Sequence, residues 1–118
     1  MILRLGDRCG QLLADLAEVD ERIRVLDGDL ADSDGSIHFA RRHPDRFIMA
    51  GIAEQSMVSV AAGMASCGLR PFVFSFAAFL AFRAYDQIRI CIGQTKRVSS
   101  INTGRLWWRC RWGFCRLF

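Results

Sequence analysis

One carboxylate stands in apolar surroundings near the middle of the chain. Glu54 lies between the apolar residues 47–50, which predict a buried strand, and residues 53–67, whose apolar side chains recur at helical spacing. Because burying a charged group away from water is costly, a carboxylate in this setting needs a partner or a function. Glu54 is therefore either a capping acid in the first turn of a helix or a buried acid/base that acts on a proton-bearing ligand. The residues alone leave both interpretations open.

The cysteines and histidines do not have a spacing typical of a metal site. The chain has 5 Cys and no Cys-x-x-Cys pair, and His38 and His43 lie far from any pair of cysteines in sequence. We therefore expect no metal site in this chain. Free thiols are typical of a reducing compartment, so we expect a cytoplasmic protein.

The basic character of the chain is confined to its C-terminal end. Residues 1–96 hold 11 Lys/Arg against all 12 acids, a net charge of −1, whereas residues 97–118 hold five Arg, no acid and all three Trp. This distribution argues against nucleic acid as a partner of the main domain. Two interpretations of the tail stay open: a basic, aromatic segment that binds nucleic acid or lipid, and a segment translated in a shifted reading frame.

The pattern of apolar residues predicts an α/β fold. Strands are predicted over residues 23–27, 47–50 and 71–75, and helices over residues 11–19, 37–42, 53–67 and 76–90. Residues 28–36 are rich in Gly, Asp and Ser and predict a loop, and residues 98–101 could form a fourth strand. This alternation indicates a layered parallel sheet with helices on both faces. The rest of the segment after Lys96 has neither a helical nor a strand period. The longest nearly apolar run, residues 71–82, is too short to span a membrane.

Four blocks of residues resemble the pyrimidine-binding domain of transketolases. They are residues 25–30 (Val-Leu-Asp-Gly-Asp-Leu), 43–47 (His-Pro-Asp-Arg-Phe), 51–57 (Gly-Ile-Ala-Glu-Gln-Ser-Met) and 75–89 (Ser-Phe-Ala-Ala-Phe-Leu-Ala-Phe-Arg-Ala-Tyr-Asp-Gln-Ile-Arg). The likeness covers about residues 7–96 and is nearest to the C-terminal subunit of split transketolases. It implies an incomplete thiamine-diphosphate-binding pyrimidine domain over residues 1–96, followed by the tail of residues 97–118.

The resemblance implies a catalytic role for Glu54. In transketolases thiamine diphosphate lies between two subunits, with its aminopyrimidine in this domain and its diphosphate and Mg²⁺ in another. The glutamate at the position of Glu54 bonds a pyrimidine nitrogen and favours the tautomer that takes the proton from the thiazolium carbon. The cofactor then serves as the electron sink while a two-carbon ketol unit passes between sugar phosphates.

Two residues of the 28–36 segment acquire roles from the same resemblance. Asp29 matches an acid beside the cofactor, and Ser33 matches a loop serine that meets the phosphate of the substrate. By residue type alone Asp29 is equally typical of a turn. Asp32 and Asp34 flank Ser33, and their charges would repel a phosphate.

Three phenylalanines occupy the places of the aromatic pocket around the pyrimidine ring. Phe76, Phe79 and Phe82 are three residues apart, so their spacing alone also predicts one face of a helix packed in the core. The resemblance implies that Phe76 and Phe79 contact the cofactor. For Phe82, where the family varies, contact and core packing stay open.

The chain also departs from the transketolase pattern. The diphosphate-binding Gly-Asp-Gly…Asn signature is absent, and no Thr-His-x-Gly segment follows Lys96. We therefore expect a subunit that is inactive alone and is completed, in an oligomer, by a thiamine-diphosphate-binding partner subunit or a second protomer. Deoxyxylulose-phosphate synthases share much of the pattern but usually carry His at the position of Ser56. A fragment of that enzyme and a non-catalytic binding module that uses the tail are the alternatives.

Overall fold

A sheet of six strands runs through the described part of the computed structural model, which comprises residues 5–94, 100–102, 107–111 and 114–117. The strands are β1 (Ile23–Asp27), β2 (Phe47–Met49), β3 (Arg70–Phe74), β4 (Ser100–Asn102), β5 (Trp107–Arg111) and β6 (Phe114–Leu117). Their order in the sheet is β2-β1-β3-β4-β5-β6, and the pairs among β1 to β4 are parallel. The three strands predicted before residue 76 are present, with bounds that shift by no more than one residue.

Helices cover both faces of the parallel strands. The helices before the last strands are α1 (Leu5–Val19), α2 (Ala31–Asp34), α3 (Ile37–Arg42), α4 (Glu54–Ser66), α5 (Ala77–Arg83) and α6 (Tyr85–Gln87). Successive residues of a strand point to opposite faces, and both Val25 and Leu26 of β1 are buried. Val25 joins the core under α1 and α3 with Phe39, whereas Leu26 joins the core under α4 with Leu80. The predicted α/β fold, with helices on both faces of a parallel sheet, is confirmed.

The segment of residues 28–36 is not entirely a loop. The Leu30 carbonyl accepts hydrogen bonds from the amides of Ser33 (2.7 Å) and Asp34 (2.9 Å), which closes the single turn of α2. Gly35 ends this turn with a φ of 85°, a left-handed conformation that glycine adopts without steric cost. The sequence did not predict this turn, because the Gly, Asp and Ser residues of the segment are also typical of irregular loops.

The prediction of a single helix over residues 76–90 is wrong in detail. It breaks at Ala84 (φ −111°, ψ 16°), and after α6 the chain continues as a π-helix over Ile88–Gln94. Buried residues of this region recur every four residues, at Leu80, Ala84, Ile88 and Ile92. In a straight α-helix each step of four residues rotates a side chain by about 40°. The break and the wider turns compensate for this drift and keep all four side chains in the core.

Parts of the tail, which lacks an apparent period, are β-strands. β4 lies parallel to β3, with Phe72 opposite Ser100, and β5 runs antiparallel to β4, with Ile101 opposite Trp108. β6 pairs antiparallel with β5. Such pairing rests on backbone hydrogen bonds, which need no particular alternation of side chains, and this is why the pattern did not reveal β5 and β6. The fourth strand predicted over residues 98–101 is observed at Ser100–Asn102, and residues 95–99 lie outside the described residues.

The buried carboxylate of Asp27 holds the segment of residues 28–36 against the end of β1, and the buried carboxyl group of Asp34 bonds within the segment. Asp27 Oδ1 accepts a hydrogen bond from the Leu30 amide (2.7 Å), and Asp27 Oδ2 accepts one from Ser36 Oγ (2.7 Å). The Ser36 amide donates to Asp34 Oδ1 (3.0 Å). Burial, together with the neighbouring carboxyl group of Asp27, raises the pKa of Asp34 from its ordinary value of 3.8 to about 7. The carboxyl group of Asp34 therefore keeps its proton at mildly acidic pH.

Phe39→Ala and Phe82→Ala form a matched pair that tests where the core lies. The Phe39 side chain is fully buried under α1, whereas Phe82 is 85% exposed. We expect Phe39→Ala to lower the free energy of unfolding by about 3–5 kcal/mol, because it leaves a cavity in the core. Phe82→Ala should change it by less than about 0.5 kcal/mol. Urea denaturation of both variants measures the difference, and equal losses would contradict this assignment of the core.

Asp34→Asn tests the pKa of Asp34. Between about pH 4 and pH 7 the folded chain retains a proton on Asp34 that the unfolded chain has released, so the free energy of unfolding should fall as the pH rises through this range. In Asp34→Asn this part of the pH dependence should disappear. Asp32→Asn, an exposed neighbour in α2, should keep the native pH dependence.

Urea denaturation at pH values from 4 to 8 compares the three proteins. If Asp34→Asn retains the full pH dependence of the native chain, the proton resides elsewhere.

Candidate functional site

Glu54 lies where the chain leaves the sheet edge and enters α4. Gly51 has a φ of 74°, a conformation that lets the chain turn after β2, and Glu54 is the first residue of α4. The Glu54 side chain is only 3% exposed. It therefore has both properties that the sequence left as alternatives, since it stands in the first turn of a helix and is also buried.

Both carboxylate oxygens of Glu54 have a partner. Oε1 accepts a hydrogen bond from Ser75 Oγ at 3.2 Å, and Ser75 directly follows β3 and is 1% exposed. Oε2 lies 3.6 Å from Nη1 of Arg83, the last residue of α5, whose side chain is half exposed. The carboxylate is thus fixed on its buried side by a neutral hydroxyl group and is neutralised on its outer side by a cation.

Gly28 permits the close approach of the β1 end to Ser75. The Gly28 amide donates to the carbonyl of Phe74 at 3.0 Å, and a Cβ atom at Gly28 would lie 3.2 Å from Ser75 Oγ. That distance is shorter than an ordinary van der Waals contact, so a side chain at this position would displace the hydroxyl group that bonds Glu54. The sequence does not mark Gly28, Ser75 and Arg83 as parts of the site. A glycine or a serine after a strand is typical of a turn, and an arginine is typical of a solvated helix end.

The aromatic rings predicted from the resemblance lie on the α5 side of Glu54. The rings of Phe76 and Phe79 pack edge to face, with centroids 5.6 Å apart and an interplanar angle of 67°. The guanidinium group of Arg83 lies 4.1 Å from the centroid of the Phe79 ring. Arg83 therefore links Phe79 to Glu54, through a cation–π contact on one side and an ion pair on the other.

An open cavity of about 530 Å³ adjoins the carboxylate. Its lining residues come from the start of α4 and the end of α5: Ile52, Ala53, Glu54, Gln55, Ser56, Phe82 and Arg83. Phe82 is 85% exposed, so it forms part of the cavity wall and is not a core residue. The cavity offers a buried acid, a cation and an aromatic face, the groups with which a flat nitrogen heterocycle interacts.

Asp29 and Ser33 lie on the neighbouring segment of residues 28–36. Asp29 is exposed and has a φ of 68°, and it directly follows Gly28 at the edge of the sheet where Ser75 and Glu54 meet. Ser33 is exposed on α2. Of the two acids that flank Ser33, Asp34 is buried and only Asp32 is exposed. The repulsion of a phosphate expected from both acids is therefore reduced to that of Asp32.

Within the described residues, no three His, Cys, Asp or Glu side chains are grouped so that they could bind a metal ion. None of the helices described is long and apolar enough to cross a membrane.

Comparisons of the sequence and the structure with known proteins identify the family that this chain resembles. A family model described as "Transketolase, pyrimidine binding domain" matches residues 3–104. Transketolase-like protein 1 of Bos taurus is 52% identical over 83 residues, which cover 70% of this chain and 14% of that protein. Transketolase of Homo sapiens is 51% identical over 82 residues, which cover 69% of this chain and 13% of that protein.

Two further matches concern a second enzyme and a solved structure. A 1-deoxy-D-xylulose-5-phosphate synthase of Nitratidesulfovibrio vulgaris (strain DP4) is 46% identical over 88 residues, which cover 73% of this chain and 14% of that protein. A structure described as "Split gene transketolase, inactive beta4 tetramer" superposes with a TM-score of 0.71 at 40% identity and covers 80% of this chain and 32% of that chain.

The chain spans about 13–14% of the length of these protein relatives, so the comparison concerns one domain of them. The resemblance to transketolases is confirmed, since the family match covers most of the chain and the fold agrees with that of a split transketolase. The chain belongs to the pyrimidine-binding domain family of transketolases, which are thiamine-diphosphate-dependent proteins.

Proposed function

We propose that this chain binds the aminopyrimidine ring of thiamine diphosphate. By binding this ring, the chain takes part in the transfer of a two-carbon ketol unit between sugar phosphates. One observation carries the proposal: a buried carboxylate, Glu54, is held by Ser75 at the wall of a cavity that also contains an aromatic ring. A ring nitrogen that exchanges a hydrogen with a carboxyl group requires such an acid, shielded from water and within hydrogen-bond distance.

Glu54 is the proposed catalytic residue, and Ser75 fixes its orientation. The hydrogen bond from Ser75 Oγ occupies Oε1, so Oε2 is the oxygen that can meet a ring nitrogen. Because Ser75 is buried directly after β3, its hydroxyl group is held by the sheet and keeps the carboxylate in one position. This preorganisation places the acid before the ligand arrives.

The remaining residues carried over from the family are proposed as ligands of the cofactor and the substrate. Phe82 lines the cavity together with Glu54 and Arg83, the Phe79 ring contacts the Arg83 guanidinium group, and Phe76 packs edge to face on Phe79. An aminopyrimidine ring fits this group of side chains by stacking on an aromatic face while it bonds the acid. We assign Asp29 to the cofactor and Ser33 to a phosphate of the substrate, on the basis of the family pattern and their position at the same sheet edge.

The cofactor, when bound, supplies the electron sink that stabilises a two-carbon carbanion. We propose that a partner subunit or a second protomer holds its diphosphate and Mg²⁺, and that the chain alone is inactive. The tetramer described for the split transketolase supports an oligomer, and its description as inactive agrees with a chain that needs a partner. The proposed location is the cytoplasm.

A second candidate function is the formation of 1-deoxy-D-xylulose 5-phosphate. The synthase of Nitratidesulfovibrio vulgaris, at 46% identity over 88 residues, favours it nearly as strongly as the transketolases favour ketol transfer. Ser56, at the cavity where synthases usually carry His, favours transketolase. The product formed from a ketose phosphate and an aldose phosphate, compared with the product formed in the presence of an α-keto acid, distinguishes the two.

Glu54→Gln tests the proposed function. The assay contains the full chain, a transketolase subunit that supplies the diphosphate site, thiamine diphosphate and Mg²⁺. We expect the native chain to support ketol transfer in this assay. In Glu54→Gln the rate should fall about 10²- to 10⁴-fold, which is the usual contribution of a general acid/base. Glu21→Gln is the control, because Glu21 is an exposed glutamate in a different cavity, beside Arg24 and Asp45. Its activity should equal that of the native chain.

The native chain without the partner should show no transfer. Activity that survives Glu54→Gln would contradict the role of this acid, and activity of the purified chain alone would contradict the requirement for a partner.

A further inference from the structure

Arg83 occupies the place in which a ligand ring would meet Glu54 and Phe79. Its Nη1 lies 3.6 Å from Glu54 Oε2, and its guanidinium carbon lies 4.1 Å from the centroid of the Phe79 ring. Glu54 Oε2 is the oxygen left free by Ser75, and Phe79 is one of the rings assigned to the cofactor. In the ligand-free chain the chain's own cation thus takes both of the contacts that the proposed function requires of a bound ring.

A guanidinium group suits this position for reasons of shape and charge. It is planar and delocalised, it stacks on aromatic faces, and it pairs with carboxylates. An aminopyrimidine is likewise planar, stacks on aromatic rings and presents nitrogen atoms to a carboxylate. The two groups therefore compete for one carboxylate oxygen and one ring face.

Arg83 can leave this position without disturbing the core. It is the last residue of α5, directly before the helix break at Ala84, and its side chain is 51% exposed at the cavity wall. Glu54, by contrast, is 3% exposed and is held by the buried Ser75. If the pair separates, the arginine swings into water while the acid stays in place.

We propose that Arg83 is an exchangeable placeholder: in the ligand-free chain it pairs with Glu54 and covers Phe79, and it is displaced when the pyrimidine ring binds. This inference rests on the proposed function, because it takes the ring site as given. Arg83 acts through Glu54 and Phe79 and is a positioning residue. It compensates the charge of the buried acid in the absence of ligand, at the expense of affinity for the ring.

The first experiment measures the position of Arg83 in the native full chain by NMR. The Phe79 ring should shift the resonances of the Arg83 δ protons upfield, and this shift should be absent in Phe79→Leu. Saturation of the native chain with 4-amino-5-hydroxymethyl-2-methylpyrimidine should move these resonances to the values of a solvent-exposed arginine. Resonances that remain upfield when the pyrimidine is bound would overturn the proposal.

The second experiment measures the affinity of the same pyrimidine by calorimetry. Arg83→Gln should bind it about three- to tenfold more tightly than the native chain, the magnitude expected when a partly exposed ion pair and a cation–π contact no longer compete. Arg83→Lys, which keeps the charge but not the planar group, should lie between the two. Arg89→Gln, an exposed arginine in the following π-helix, is the matched control and should bind like the native chain.

The outcomes separate this inference from the proposed function. If the native chain binds the pyrimidine and Arg83→Gln binds it equally or more weakly, Arg83 is not a placeholder, and the proposed function stands. If neither protein binds the pyrimidine, the proposed function fails, and the exchange fails with it. Should Arg83→Gln not fold, the NMR experiment on the native chain and the affinity of Arg83→Lys decide between the same outcomes.

Discussion

The candidate site depends on the compensation of one buried charge. Removing a carboxylate from water is unfavourable unless hydrogen bonds or an opposite charge replace the lost solvation. Glu54 has one of each, the hydroxyl group of Ser75 and the guanidinium group of Arg83. The three residues come from the start of α4, the end of β3 and the end of α5, so the acid can be buried only when these three elements are packed together.

The parallel sheet brings these elements together. Asp27, the last residue of β1, is paired with Phe74, the last residue of β3, so the two strands end side by side. Gly28 and Ser75, which directly follow these two strands, are therefore in contact. The small size of Gly28 leaves room for the serine hydroxyl group. Ligand sites of α/β proteins generally lie at the carboxyl ends of parallel strands for this reason. The buried Asp27 and Ser36 hold the adjacent segment, with Asp29, at the same edge.

The sequence was sufficient to predict those features that depend on local periodicity. The strand–helix alternation predicted the fold, whereas the apolar residues on both sides of Glu54 left open whether this acid caps a helix or is a buried acid/base. The partners of Glu54 could not be predicted, because Ser75 and Arg83 are 21 and 29 residues away along the chain. Likewise the break at Ala84 follows from a four-residue repeat of buried side chains that only the packed core reveals. The roles assigned to Asp29, Ser33 and the three phenylalanines rest on the family pattern, since spacing alone did not distinguish them from turn and core residues.

The other proposed roles in the site depend on Glu54 being the acid that contacts the pyrimidine ring. A crystal structure of the full chain, assembled with its partner and saturated with thiamine diphosphate, would show whether this contact exists. We expect Glu54 Oε2 to lie at hydrogen-bond distance, about 2.7–3.1 Å, from a ring nitrogen, with Ser75 still bound to Oε1. A pyrimidine ring bound elsewhere, with Glu54 still paired to Arg83, would contradict it.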